Sequence, residues 1–263
     1  MLVASLNANG IRAATRRGFG DWLQARSPDI LGIQEMRCPQ DQLPDVFDGY
    51  RLSYHQGNLP GRNGVALLTK AEPLAVRTGF GHSSDPEGRY LELDLPGLRV
   101  GCLYLPKGDV LGFNDSGDAR YRHKMDFMEA FAAYLEAAAA QSLAAGTDFL
   151  VMGDFNIAHT RLDLKNWRGN QKASGFLPEE REWFSAILAP GTVLDVVRGQ
   201  HLETPGPYTW WTWRGNAFER DTGWRIDYQL ATPGLAGRAE RSWVDKDSAQ
   251  RISDHAPVLV EYR

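Results

Sequence analysis

The sequence predicts an α/β fold in which mixed β-sheets stack on one another with helices outside, all within one domain over residues 1–263. Three observations carry that prediction. Short apolar runs recur from one end of the chain to the other. A few segments between them carry apolar side chains at helical spacing instead. The two kinds of segment do not alternate as regular βαβ units, and no linker, low-complexity stretch or repeat divides the chain.

Taken in order, Leu2–Leu6, Ile30–Ile33, Val65–Thr69 and Val100–Leu105 read as strands by their length and their β-branched or Leu content. Between the first two, Phe19, Trp22 and Leu23 fall at i, i+3 and i+4, the stripe of an amphipathic helix that Pro28 stops. A longer helix is expected from a capping side chain near Ser116 or Asp118. Phe127, Phe131, Tyr134 and Leu135 form its apolar face, Ala137–Ala140 supplies high helix propensity, and Gly146 ends it. Asp148–Met152 reads as a buried strand, 156–178 as loop and Glu179–Leu188 as a short helix. Thr192–Val197, Tyr208–Trp213, Arg225–Ala231 and Val258–Tyr262 complete the set as strands.

The composition fits a packed globular chain: 43% hydrophobic and 24% charged residues exclude disordered and fibrous classes. No apolar run approaches the roughly 18 residues of a bilayer-spanning helix, and no N-terminal signal pattern is present. Cys38 and Cys102 provide neither a disulfide framework nor zinc-ligand spacing. The expectation is a cytoplasmic protein with no membrane partner. With 29 Lys+Arg against 33 Asp+Glu the net charge is −4, which by itself argues against a polyanionic partner.

The informative residues stand at the ends of the apolar runs. Asn7 and Asn9 follow the first strand, and Gln34 and Glu35 the second. Gly153, Asp154 and Asn156 follow Phe149–Met152, Trp224-Arg225-Ile226 leads into Asp227, and Ile252-Ser253 into Asp254 and His255. A lone Asp after a strand is usually a turn-former or cap, and a lone His is usually packed. Five coincident cases instead point to one sheet edge, where α/β folds tend to build ligand sites. Carboxylates with side-chain amides and no cysteine cluster suit a hard divalent cation such as Mg²⁺ or Mn²⁺. A His facing an Asp can be held cationic against a phosphate, and a further Asp can act on water. Together they fit metal-assisted phosphodiester hydrolysis. No nucleophile elbow, P-loop or kinase-type glycine loop is present.

In this pattern the chain resembles the exonuclease III class of apurinic/apyrimidinic endonucleases. The resemblance rests on Asn7-Ala8-Asn9-Gly10-Ile11-Arg12, Gln34-Glu35, Gly153-Asp154-Phe155-Asn156, Trp224-Arg225-Ile226-Asp227 and Ser253-Asp254-His255-Ala256-Pro257. Gly175–Trp183 is also typical of that family's bacterial members, and the matches run in order over essentially the whole chain. The Gly-Asp-x-Asn and Asp-His-x-Pro elements are shared with a wider superfamily, so a relative acting on phosphoinositides or sphingolipids is the first alternative. A non-catalytic DNA-damage-binding protein is the second.

The resemblance implies a four-layer α/β sandwich, two packed mixed β-sheets flanked by helices. It implies Glu35 as the main Mg²⁺ ligand, with Asn7 and Asp254 in or near the metal shell. Asp154 would align or deprotonate the attacking water, assisted by Asn156, and His255 paired with Asp227 would contact the phosphate. Tyr104 would lie beside the scissile phosphate and leaving oxygen. The implied activity is cleavage 5′ to abasic sites in double-stranded DNA by a monomer, with 3′→5′ exonuclease and 3′-phosphodiesterase or phosphatase activity on blocked 3′ ends. Trp210, Trp224 and Ile226 would line a pocket for the baseless sugar. Among the aromatics of Tyr208–Trp213, one or both of Trp211 and Trp213 are expected in the interior. The segment 161–175 carries Arg161, Lys165, Arg168 and Lys172 against Asp163, a balance of +3, together with Asn166, Asn170 and Gln171. It reads as a loop that grips the phosphate backbone, with Arg89, Arg122 and Lys124 extending the same surface.

Overall fold

A computed structural model describes residues 1–59, 61–112, 114–246 and 251–263. The apolar runs become strands β1 (Leu2–Asn7), β2 (Ile30–Gln34), β4 (Val65–Thr69), β7 (Leu98–Tyr104), β8 (Asp148–Asp154), β10 (Asp227–Ala231) and β12 (Val258–Tyr262). Four further strands were not expected from sequence: β3 (Arg51–His55), β5 (Ala75–Thr78), β6 (Tyr90–Leu95) and β11 (Ala239–Val244). With the short β9 (Leu194–Asp195) they form two six-stranded mixed sheets, ordered β11-β12-β1-β2-β4-β3 and β5-β6-β7-β8-β10-β9. Each sheet has one parallel pair at its centre, β1 with β2 and β7 with β8, and antiparallel neighbours elsewhere.

Both faces of the central strands are buried, which explains their continuous rather than alternating apolar character. Val3, Val65, Leu67, Leu91, Val100 and Met152 fill the space between the sheets. On the outside of the first sheet, Phe19, Trp22 and Leu23 of α2 (Phe19–Arg26) pack with Ile11 and Ala14 of α1 (Ile11–Arg16). On the outside of the second, α3 (Asp115–Ala144) lays Phe127, Phe131 and Leu135 against Phe149 and Val151, alongside α4 (Pro178–Leu188). This is the four-layer sandwich that the resemblance implied. The long helix is capped by Asn114, whose side chain accepts from the Gly117 amide at 2.8 Å, so it begins slightly earlier than expected.

One expected strand is cut short and another is absent. Only Leu194–Asp195 of the segment 192–197 pairs with β10, because the Asp195 side chain accepts from the Arg198 amide at 3.0 Å and caps α5 (Val196–Gln200). Tyr208–Trp213 forms no strand. Trp210 alone bridges to Trp224 and to His255, and the Thr209 hydroxyl takes up the Ile226 and Asp227 amides. Arg225 and Ile226 likewise precede β10 rather than belong to it. The short α6 (Pro233–Ala236) follows β10. No described helix is long and apolar enough to cross a membrane.

Candidate active site

The topology itself assembles the site. In β1 and β2, which run parallel, Asn7 pairs with Gln34, so Asn7 and Glu35 leave their strands at the same edge. In β7 and β8 Tyr104 pairs with Asp154, again at the C-terminal ends, and antiparallel β10 begins there because Asp227 pairs with Asp154. Since β12 runs antiparallel to β1, Asp254 and His255, just before it, arrive at that edge as well.

Asn7 Nδ2 lies between two carboxylates, donating to Glu35 Oε1 and to Asp154 Oδ2 at 2.8 Å each. Its Oδ1 accepts from the Asn9 amide at 2.9 Å. A flipped amide would set oxygen against both carboxylates and N–H against N–H, so this orientation is dictated by its neighbours. Asn7 is therefore a bridging donor between the two carboxylates, with its Oδ1 turned to the Asn9 amide. Asp154 is also held by the Asn156 amide, which donates to Oδ1 at 2.8 Å, and by Asn156 Nδ2, which donates to Oδ2 at 3.2 Å and to the Leu105 carbonyl at 2.9 Å. His255 Nδ1 bonds Asp227 Oδ2 at 2.9 Å, and its Nε2 faces Asp154 Oδ2 at 3.9 Å.

Asp154, Asp227 and His255 are all buried, which shifts the protonation of Asp154 and His255. Burial pushes the Asp154 carboxyl up to about 7, with Asp227 and Glu35 adding repulsion, while His255 and Asn7 pull the other way. Burial disfavours a charged His255, but Asp227, Asp154 and Asp254 outweigh it and lift the imidazole to about 10. At neutral pH His255 is an imidazolium. Tyr104 is held as a neutral phenol, raised well above its usual range by burial and by the charges of Glu35 and Asp154. The Arg89 guanidinium lies 5.1 Å over its ring.

Ligand atoms of Asp154, Asp227 and His255 lie within 4.8 Å of one another, the one such knot among the described residues. A protonated imidazole has no lone pair for a metal, so this trio reads better as an ion-paired group. Glu35 and Asp254 offer the alternative. Glu35 Oε2 is buried without a hydrogen-bond donor in good geometry and is met by the Arg37 guanidinium. Asp254 lies below its usual pKa: burial opposes this, but the His255 cation and donors from Asn9, Trp210 and Ser253 hold it ionised. An all-oxygen carboxylate set fits a hard divalent cation, which would take the place of the Arg37 guanidinium at Glu35 Oε2.

Trp210 and Trp224 meet edge to face at 6.3 Å and pack with Ile226 in one apolar cluster. Trp210 Nε1 donates to Asp254 Oδ2 at 3.1 Å, tying that cluster to the site. Trp211 is interior and Trp213 is half exposed. Arg168 is exposed and stacks on Trp167 at 4.5 Å, while Asn170 turns its amide back to the Asn166 carbonyl at 2.8 Å. Asp163, the acid of that loop, is buried against Arg225 and Arg198, so the loop surface is more positive than its sequence balance.

One expected surface contact fails. Lys124 is fully buried, with Nζ bonded to Glu180 Oε1 at 2.6 Å and to the Asn156 and Lys107 carbonyls at 2.9 and 3.2 Å. It cannot reach a phosphate; Arg122, two positions earlier, is exposed. Sequence reasoning also passed over Arg37 and Thr209, and it named Asn9 without giving it a partner. Asn9 Nδ2 donates to Asp254 Oδ1 at 2.9 Å and Arg37 Nη1 donates to Asn9 Oδ1 at 2.7 Å, linking the two proposed ligands. The only sequence signal for Arg37 was its proximity to Glu35.

Buried carboxylates, an imidazolium and a neutral phenol gathered where two stacked sheets share an edge define a hydrolase built for phosphate esters. The chain belongs to the endonuclease/exonuclease/phosphatase family, whose model matches residues 4–255, and it is an enzyme of the nuclease type. It is 34% identical over 270 residues to the DNA repair nuclease APEX1 of Danio rerio, covering 99% of this chain and 81% of that protein. It is 32% identical over 260 residues to an exodeoxyribonuclease of Bacillus subtilis, covering 98% of each. The solved structure of an AP endonuclease from Archaeoglobus fulgidus superposes with a TM-score of 0.88 at 28% identity, over 100% of this chain and 99% of that one.

Proposed function

We propose that this protein is a Mg²⁺-dependent DNA-repair nuclease that cleaves the phosphodiester 5′ to abasic sites in duplex DNA. On this reading it works as a monomer in the cytoplasm, as one catalytic domain over residues 1–263, and also removes nucleotides or blocking groups from 3′ ends. The observation that carries it is the convergence of Asp154, Asn156, Asp227 and His255 with Glu35 and Tyr104 beside a cluster of tryptophans. A phosphoinositide or sphingolipid substrate gives Trp210, Trp224 and Ile226 no comparable task.

Asp154 takes a proton from the attacking water, and Asn156 and Asn7 fix the direction in which its oxygens point. The His255 imidazolium, held by Asp227, faces the phosphate and receives the negative charge that grows on its oxygens. As the P–O3′ bond breaks, the neutral Tyr104 hydroxyl stands ready to donate to the leaving oxygen, yielding a 3′-hydroxyl and a 5′ sugar phosphate. Glu35, with Asp254 beside it, would hold a divalent cation, and that ion would supply further positive charge for the transition state. The Trp210–Trp224–Ile226 pocket admits an extrahelical sugar that lacks its base, since unpairing costs least there.

The test is a gel assay on a duplex with a single abasic site, with Mg²⁺ and then with EDTA, beside phosphoinositide and sphingomyelin substrates. Metal-dependent incision 5′ to the abasic site is expected. Lipid hydrolysis, or abasic-DNA binding without incision, contradicts the proposal.

A further inference from the structure

A lysine with no exposure whose donors reach three separate segments is a costly feature to keep in a protein interior. Lys124, on α3, joins Glu180 of α4, the carbonyl of Asn156 after β8, and the carbonyl of Lys107 after β7. Glu180 is equally buried, and its second oxygen accepts from the Leu177 amide at 2.9 Å, fixing the turn that starts α4. The Lys107 carbonyl also accepts from the Ser174 hydroxyl at 2.8 Å. The loop after Tyr104 closes directly onto the lysine stem: a Cβ on Gly108, whose φ is +71°, would sit 2.6 Å from Lys124 Cδ. No step of the proposed mechanism uses the Lys124 ammonium, yet the two carbonyls it grips belong to Asn156, which orients Asp154, and to the loop after Tyr104.

We propose that Lys124 and Glu180 form a buried clamp that positions the Asn156 and Pro106–Gly108 loops, so that the pair serves site geometry rather than fold stability. The inference rests on the catalytic reading of Asp154 and Asn156 for its rate consequence only; the loop order is a property of the protein without DNA. Removing one member leaves an unpaired buried charge and confuses geometry with folding. The double variant Lys124→Met/Glu180→Gln removes both charges at similar volume and keeps a side-chain oxygen at position 180 for the Leu177 amide. It keeps a melting temperature within a few degrees of wild type.

Amide hydrogen exchange and single-turnover cleavage of the abasic duplex are then compared in the two proteins. The expected result is exchange at least about tenfold faster at residues 105–108 and 155–158, a cleavage rate at least about tenfold lower, and a DNA Kd within about threefold. Unchanged exchange in both segments overturns the clamp, as does a wild-type cleavage rate in the double variant. A wild-type protein that fails to incise abasic DNA sinks the catalytic reading instead, and exchange still decides the clamp. Should the double variant not fold, Lys124→Arg gives the same readouts. It keeps the charge opposite Glu180 but offers a flat fork where three divergent N–H groups are needed. Faster exchange in the same segments supports the clamp, and unaltered exchange with full activity refutes it.

Discussion

Substituting Asp154→Asn tests the chemistry with the least disturbance to shape. The side chain is buried, receives hydrogen bonds from Asn7 Nδ2 and from the Asn156 amide and side chain, and faces the His255 Nε2 at 3.9 Å. Asn preserves the outline and an acceptor oxygen but cannot take a proton from water. Loss of a positioned general base lowers the rate by about 10²–10⁴-fold, equivalent to roughly 3–5 kcal/mol of transition-state stabilisation. Folding is spared, because burial already works against the charge, raising this carboxyl to about 7. At pH 8 the variant melts within a few degrees of wild type, the relief of a buried charge offsetting the new NH2 set against a neighbouring donor. Removing one negative charge from the phosphate site also leaves affinity for abasic DNA equal or tighter. Single-turnover cleavage under saturating enzyme, with binding by fluorescence anisotropy, separates the two effects. A cleavage rate within tenfold of wild type would refute Asp154 as the group that acts on water.

Cleavage rate against pH is expected to fall on both sides. On the acid side Asp154 takes up a proton, with a midpoint at about 7 or lower where a nearby cation draws it down; on the alkaline side His255 loses its proton near pH 10. Asp227→Asn removes the carboxylate that holds His255 charged and shifts the alkaline limb to lower pH, and an unmoved limb counts against the pairing. Asp163→Asn is expected to cost about 1–3 kcal/mol, by removing one of the two carboxylates that pair with buried Arg225 and the carboxylate that holds Arg198, while Asp195 stays bonded to Arg225. Asp163 is held below the usual carboxylate range: burial opposes its charge, but Arg225 and Arg198 overcome that. Its stabilisation is therefore present above the ordinary Asp pKa and lost as pH falls through the lowered folded value, so urea midpoints should differ most at neutral pH and converge in acid. Trp210→Ala with Trp224→Ala should raise KM and lower kcat for abasic duplex more than for removal of a 3′-terminal nucleotide; equal losses would argue against a pocket specific for the baseless sugar.

Much of the fold was legible because the central strands are buried on both faces and therefore read as uninterrupted apolar runs: Val65–Thr69 is matched residue for residue by β4. The strands missed lie nearer the edges. Edge strand β5 is half exposed and carries little apolar signal, whereas β6 does alternate Leu91, Leu93 and Leu95 with Glu92 and Asp94, a strand pattern present in the sequence. Tyr208–Trp213 misled because its aromatics suit a strand, while Thr209 commits its hydroxyl to the amides that lead into β10.

The net charge of −4 also changes meaning in three dimensions. Several of the acids that make the chain net negative are drawn inward, Asp163 and Glu180 into buried ion pairs and Asp154 and Asp227 into the site. By itself the sequence determined the residue types at each strand end, and with them the chemistry, because those positions are local properties of apolar runs and the few residues just beyond them. Only the tertiary structure decided which amide hydrogen of Asn7 faces which carboxylate, that Arg37 and Asn9 link Glu35 to Asp254, and that Lys124 is interior. Those outcomes depend on partners distant along the chain, brought together by strand register and helix packing, and no local pattern encodes them.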